Sequence, residues 1–179
     1  IIQSLQKYQR PILEVPSVEE ITSGKMSVDQ LKPIDLEDLL CRQSVLPNKE
    51  LLKSSVKAKN ILVTGAGGSI GSELCRQIIL LEPKKLILLE HSEHNLYSIN
   101  SELKNYFENK TKVIPILGST LDKKLLEKNI LENEVDVIFH AAAYKHVPLV
   151  EKNPIVGLKN NIFSTLTICE VSQNLKVGK

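Results

Sequence analysis

A short apolar run, a glycine-rich turn and a helical pattern follow one another between residues 60 and 81. That succession constrains the fold of this chain more than any other feature. Asn60-Ile61-Leu62-Val63-Thr64 has the length and apolar continuity of a strand buried on both faces. Thr64-Gly65-Ala66-Gly67-Gly68-Ser69-Ile70-Gly71 then turns the chain. From Ser69 to Leu81, residues Ile70, Leu74, Ile78 and Leu81 fall at helical spacing, and Pro83 stops the run.

The same alternation continues. Lys85–Glu90 reads as a second strand. His94 to Asn109 reads as a helix with Leu96, Ile99, Leu103 and Phe107 on one face. Val113–Leu117 is a third strand, Asp122–Leu131 a third helix and Val135–His140 a fourth strand. A long helix is expected from Pro154, with Asn153 as N-cap and proline in the first helical position. Strand and helix repeating at this spacing predict an α/β fold: a Rossmann-type parallel sheet with helices on both faces and right-handed crossovers.

Residues 1–57 differ. They hold Pro11, Pro16, Pro33 and Pro47, four of the eight prolines, and only short apolar segments. One short helix is expected over Ile34–Leu40. This part reads as an irregular arm, or the tail of a preceding domain, ahead of a Rossmann domain over 58–179. The alternation calls for a further strand after the last helix, so that domain is expected to continue beyond Lys179.

Composition narrows the function classes. A net charge of +2, 4% aromatics and no tryptophan supply neither a basic stripe nor a stacking surface, which argues against nucleic acid. Cys41, Cys75 and Cys169 are scattered, with no CxxC pair, so a zinc cluster is not suggested and a cytoplasmic location with reduced thiols is expected. No apolar run approaches the roughly 18 residues that span a bilayer, and no signal peptide is visible.

The glycine turn carries the chemistry. Gly65 permits a tight turn off the strand, Gly68 lets the backbone approach a pyrophosphate, and Gly71 lets the helix pack against the strand. The helix start at Ser69 and Ile70 offers free N–H groups and a positive dipole end to an anion. The spacing is TGxxGxxG rather than GxGxxG, because Ile70 stands where a last glycine would fall. No Gly-Lys-Ser/Thr follows, so the turn is not a P-loop. Glu90 closes the second strand, 25 positions after Gly65 (90 − 65), where a carboxylate can accept from adenosine ribose hydroxyls and repel a 2′-phosphate. The cofactor expected is NAD or NADP, with NAD favoured. The bland alternative is a plain glycine turn.

From Thr64 to Ile78 the sequence resembles the extended short-chain dehydrogenase/reductase superfamily. Within it, His140-Ala141-Ala142-Ala143-Tyr144-Lys145-His146-Val147-Pro148 and Glu151-x-Asn153-Pro154 resemble bacterial nucleotide-sugar 4,6-dehydratases of polysaccharide biosynthesis that act on UDP-N-acetylglucosamine. Asp38-Leu39-Leu40-Cys41-Arg42 is similar to an arm element of the large, membrane-anchored members. The resemblance implies that Ala141, Ala142 and Ala143 run along the cofactor, and that Lys145 meets both cofactor and sugar nucleotide. It puts Ser119 and Thr120 beside adenine, and Glu90, His91 and Ser92 at the ribose. Asn161 would brace the fourth-strand region near the nicotinamide. Cys41, Ser119 and Ser164 depart from the family's Gly, Asp and Gly. The family's Ser-Thr-Asp-Lys segment and its Tyr- or Met-x-x-x-Lys pair are expected beyond Lys179, so no catalytic acid or base is placed in this chain.

The implied chemistry removes hydride from C4 of the sugar, eliminates water across C5 and C6, and returns hydride at C6. The product is a UDP-4-keto-6-deoxy sugar for surface glycans. A homo-oligomer is expected, with any membrane contact made through segments absent from this chain. A related epimerase or reductase, or a non-catalytic NAD(P)-sensing module, would share the same glycines.

Other residues invite weaker readings. His140 ends a buried strand and reads as a satisfied core histidine. His91 and His94 are three apart, but no third ligand joins them, so no metal is expected. Tyr144 and Lys145 are adjacent, which excludes them as a Tyr-x-x-x-Lys pair on one helical face.

Overall fold

Each strand of the main sheet is a continuous apolar run whose alternate residues enter different cores. The computed structural model describes residues 13–14, 22, 32–33, 47–107 and 111–178. The chain divides into two compact units, Ile1–Pro47 and Asn48–Lys179. In the first, β1 (Leu13–Glu14) pairs antiparallel with β2 (Lys32–Pro33). The helix expected over Ile34–Leu40, and the arm element with Cys41, lie outside the described residues.

The second unit opens with α1 (Lys49–Val56), capped by the Asn48 side chain, which accepts from the N–H groups of Glu50 and Leu51. Val56 is buried against the main core, so this helix belongs to the unit that follows it. The sequence boundary at 57/58 marks the compositional change. The boundary of the unit falls ten residues earlier, because a mostly polar helix with one buried anchoring valine leaves little apolar signal.

The elements then run β3 (Asn60–Thr64), α2 (Ser69–Ile79), β4 (Lys85–Glu90), α3 (Glu93–Phe107), β5 (Lys112–Leu117), α4 (Lys123–Asn133) and β6 (Val137–His140). The strands pair in parallel in the order β5-β4-β3-β6, with Leu62 opposite both Ile87 and Ile138. Ile61, Val63, Leu86 and Leu88 pack with Ile78 and Ile79 of α2 and Ile99 and Leu103 of α3. Leu62, Ile87 and Leu89 pack with Leu126 and Ile130 of α4 and with two residues of the last helix, Ile168 and Val171. The period-two geometry of a strand thus divides one apolar run between two helical layers.

The region after β6 contains the long helix expected from Pro154, preceded by a short helix that the sequence did not announce. The chain forms α5 (Val147–Lys152) and then one unbroken helical run from Pro154 to Asn174, made of α6 (Pro154–Leu158), a π-helical segment (Lys159–Phe163) and α7 (Ser164–Asn174). Pro154 does occupy the first turn of α6, but the Asn153 side chain makes no cap bond. Its amide donates backward to the Leu149 carbonyl at 3.0 Å, because Asn153 also terminates α5. Among the described residues no helix is long and apolar enough to cross a membrane.

Candidate functional site

The chain leaves β5 at one side of the sheet and reaches β6 on the other side of β3. The C-terminal ends of β3 and β6 therefore flank a topological switch point, where open α/β sheets form a crevice. The glycine turn leaves β3 there, and Ala141 leaves β6 beside it, its N–H donating to the Thr64 carbonyl at 3.1 Å.

Gly65 has φ +64°, a left-handed conformation that glycine adopts without penalty. Behind it, a Cβ on Gly71 would overlap the Gly65 carbonyl oxygen, so α2 lies directly against the turn. Gly68 is different. A Cβ there would meet only the Gly65 oxygen, at 3.3 Å. Little in the protein itself requires a glycine at that position, which fits a backbone kept bare for a ligand. Gly68 is the N-cap of α2, no side chain caps this helix, and its first turn holds no acid. The Lys145 ammonium donates to Ser69 Oγ at 3.1 Å. A cation at the positive end of a helix is an arrangement that an anion between them would relieve.

Glu90 is buried, with 3% of its surface exposed. Its Oε2 accepts from Gly67 N–H at 3.0 Å, and its Oε1 accepts from the N–H groups of His91 at 2.9 Å and Ser92 at 3.0 Å. Gly67 is the residue that the TGxxGxxG reading passed over. A Cβ on it would lie 2.5 Å from Asn95 Cβ, so the turn packs tightly against α3. The signal in the sequence was a second glycine next to Gly68.

On the β6 side, His140 Nδ1 lies 2.7 Å from Thr64 Oγ1 and Nε2 lies 3.1 Å from Thr165 Oγ1. The Thr165 hydroxyl donates to the Asn161 carbonyl at 2.8 Å, so its oxygen is left to accept from His140 Nε2–H. Nδ1 then accepts from Thr64. Burial holds the His140 pKa below its ordinary value, which favours this neutral ring. Both ring nitrogens are partnered, in keeping with a satisfied histidine. Asn161, in the π-helical segment, grips the backbone of Tyr144: Oδ1 accepts from its N–H at 2.8 Å and Nδ2 donates to its carbonyl at 3.0 Å. Ser164, Thr165 and Thr167 donate to the carbonyls of Asn160, Asn161 and Phe163, satisfying groups along a helix whose register has shifted. Thr64 and Thr165 were not singled out in the sequence. The spacing of Asn161 and Thr165, four apart on one helical face, was the available sign.

Two cavities meet at Ala142 and Tyr144. The larger, of about 710 Å³, is lined by Gly68, Ser69, Ile70, Ala141, Ala142, Ala143 and Lys145, together with the apolar side chains of Leu149, Val150 and Val156. The smaller, of about 260 Å³, is lined by Gly65, Glu90, His91, Ser119, Thr120 and Ala142, with Lys159 and Asn160 from the π-helical segment. The larger falls within the usual range for small-molecule sites. Gly71 stands behind the turn. Ser92 lines neither cavity: its Oγ accepts from Asn95 N–H at 3.4 Å at the start of α3. Asn161 reaches the larger and smaller cavities only through its hold on Tyr144. Ser119 Oγ accepts from Leu121 N–H at 3.2 Å, and Thr120 is buried. Among the described residues no three His, Cys, Asp or Glu side chains gather as metal ligands.

A family model described as polysaccharide biosynthesis protein matches residues 61–179. The chain is 39% identical over 168 residues to the capsular polysaccharide biosynthesis protein CapD of Staphylococcus aureus, covering 94% of this chain and 28% of that protein. It is 34% identical over 119 residues to a UDP-N-acetylglucosamine 4,6-dehydratase (inverting) of Campylobacter jejuni, covering 63% of this chain and 32% of that one. A solved UDP-glucose 4-epimerase from Stenotrophomonas maltophila, with bound NAD and formylated UDP-arabinopyranose, matches with a TM-score of 0.61 at 22% identity. That match covers 66% of this chain and 34% of the epimerase, and it shows a shared fold. The chain thus spans about a third or less of the length of these relatives.

Proposed function

We propose that this chain, which belongs to the polysaccharide biosynthesis protein family within the extended short-chain dehydrogenase/reductase superfamily, forms the cofactor-binding part of a nucleotide-sugar 4,6-dehydratase. The observation that carries the reading is the bare, uncapped start of α2 facing the Ala141–Lys145 segment across the switch point. Ser69, Ile70 and Gly68 would hold the pyrophosphate through backbone N–H groups, with Lys145 adding charge. Adenosine would occupy the smaller cavity between Glu90, His91, Ser119 and Thr120, and the nicotinamide half would run along Ala141–Ala143. Asn161, through Tyr144, keeps that wall in place. NAD is favoured over NADP because a buried carboxylate stands at the ribose rim, where it disfavours a 2′-phosphate.

A bound nicotinamide dinucleotide would supply the hydride acceptor and donor for a reaction with no net redox change. This chain positions that group, presents a cation to the substrate phosphates through Lys145, and lines the larger cavity with apolar side chains. The proton-transferring groups are assigned outside this chain, so the chain alone is expected to convert no sugar. The proposed substrate is UDP-N-acetylglucosamine, the sugar named for the Campylobacter relative. Self-association is also proposed: Val147, Leu149, Ile155, Leu158, Ile162 and Phe163 are each about half or more exposed along one helical region. Light scattering on the full-length protein would show a single monomeric mass if that part is wrong. The location proposed is the cytoplasm, with any anchor to the inner membrane outside this chain.

The test is to incubate the full-length protein with UDP-N-acetylglucosamine and follow the sugar protons by NMR. A 4-keto-6-deoxy product is expected. Unchanged sugar, with folded and dinucleotide-loaded protein, would overturn the dehydratase assignment for this substrate. An inverted C4 without loss of water would identify an epimerase instead.

A further inference from the structure

Between His140, the last residue of β6, and Val147, the first of α5, the chain is neither strand nor helix. The Ala141–Ala143 wall lies in this stretch. One backbone bond, from Ala143 N–H to the Ala141 carbonyl at 3.2 Å, folds it on itself. A segment with no ladder or helix to shape it keeps one conformation only if its ends are held. Both ends are held from one helical face. At the far end Asn161 brackets the backbone of Tyr144. At the near end Thr165, four residues on from Asn161, meets His140 Nε2 at 3.1 Å. The Thr165 hydroxyl also donates to the Asn161 carbonyl at 2.8 Å, which ties the two holds to one another.

The hydrogens along this series all point one way. Thr165 spends its single hydroxyl hydrogen on Asn161, so its oxygen accepts from His140 Nε2–H. The neutral ring is then bare at Nδ1, which accepts from Thr64 Oγ1 at 2.7 Å. Thr64 is fully buried and stands opposite His140 in the pairing of β3 with β6. Gly65 of the glycine turn follows it directly. Each group donates to the next, an order in which hydrogen bonds polarise and strengthen one another.

We propose that Thr165 is a positioning residue for the nicotinamide half of the dinucleotide, acting through His140 on the Ala141–Ala143 wall. The proposal rests on the dinucleotide reading of the site. With Asn161, Thr165 makes the wall part of a closed circuit that begins and ends on one turn of helix, and Thr64 fixes that circuit to the glycine turn. The wall is shaped before any ligand arrives, and the part of the ligand that lies along it gains most from that.

The test titrates the full-length protein with two ligands, NAD and ADP-ribose, which lacks the nicotinamide. Thr165→Val removes the hydroxyl and leaves His140 Nε2–H without its acceptor. NAD affinity is expected to fall about tenfold, while ADP-ribose affinity stays within about twofold of wild type. Thr165→Ser keeps the hydroxyl and is expected to restore the wild-type ratio of the two affinities. An equal fall for both ligands would make Thr165 a general support of the fold, and an unchanged ratio would leave the wall independent of it; either result overturns the proposal. Should Thr165→Val fail to fold, His140→Asn reads the same link from the other side. It keeps an acceptor beside Thr64 and is too short to reach Thr165, so the same change in ratio is expected, and a wild-type ratio overturns the proposal. One further measurement needs no variant. Nitrogen NMR of the His140 ring in wild-type protein at mildly alkaline pH is expected to show a proton on Nε2 and none on Nδ1, and the opposite tautomer overturns the proposal. Wild-type protein that binds neither ligand would remove the dinucleotide reading, and this proposal with it. Failure of the proposal alone is told apart because wild-type binding of both ligands then stands.

Discussion

A single methyl group separates the roles of the glycines. On Gly71 it would overlap the Gly65 carbonyl oxygen, which is backbone and cannot swing aside. Gly71→Ala is expected to cost about 1–3 kcal/mol of stability through overpacking, read from the urea midpoint. On Gly68 the methyl meets one oxygen at 3.3 Å. Gly68→Ala is therefore expected to fold with little loss, while dinucleotide affinity in calorimetric titration falls about tenfold or more. Equal stability losses in the two variants would defeat the distinction. The glycine pattern was legible because each position answers to a backbone need. Glu90 was legible as a residue that matters, but not for what it touches, since its partners are three N–H groups from two turns and no side-chain pattern encodes them. His140 supplies a pH effect at the same scale. Its folded pKa lies below the ordinary value near 6.5, because burial disfavours the charged ring. The unfolded chain takes up that proton first, so the contribution is fully present above pH 6.5 and is lost as pH falls through the depressed folded value. His140→Gln should flatten this part of the stability profile as pH falls below the ordinary histidine value near 6.5. An unchanged slope would sink the assignment. The Glu102 carboxylate, held below its ordinary range by a hydrogen bond from Arg76, acts at lower pH and does not interfere.

At the scale of elements, strands β3 and β4 match their sequence-predicted bounds because each is an unbroken apolar run. Helices α2, α3 and α4 were legible from their periodicity, and Asp122 caps α4 by accepting from Leu125 N–H at 3.0 Å. The helix starting at Pro154 was legible as well, but the short helix over Val147–Lys152 and the π-helical turn were not. A six-residue helix is too short to show a period, and Pro148 early in it reads equally well as a loop. The π-helical register shift leaves no composition signal either, because it arises where hydroxyls at 164, 165 and 167 take up carbonyls. What the shift accomplishes is visible in Asn161, whose two bonds hold Tyr144 between the cavities. Asn161→Ala removes both. The expected cost is about 1–2 kcal/mol of stability, with a weaker dinucleotide dissociation constant because the β6 wall is released. Asn161→Asp keeps the acceptor for Tyr144 N–H and loses the donor to its carbonyl, so it should fall between. An Asn161→Ala protein with unaltered affinity would show that the clamp is local to the helix and does not shape the site.

For the molecule as a whole, the sheet order β5-β4-β3-β6 could not be derived from any one segment, since pairing partners lie as far apart as Leu62 and Ile138. Parallel pairing was inferable from alternation alone. The place of the crevice follows once the order is known. This separates two kinds of change that act on different parts of one free-energy balance. Leu62 is buried in the core shared with α4 and α7, far in role from the ligand cavities. Leu62→Ala should cost about 2–5 kcal/mol, as core truncations do. A ligand that binds only the folded state adds about 2.7 kcal/mol at a hundredfold excess over its dissociation constant. If core and site are independent, Leu62→Ala lowers the melting temperature yet keeps the full increment on adding NAD. Gly68→Ala should do the reverse, with a near-normal melting temperature and little increment. Melting each full-length variant with and without NAD reads both quantities at once. Should Leu62→Ala also lose the increment, the sheet would be coupled to the glycine turn through β3, and a rigid strand bearing a preformed site would no longer describe this protein.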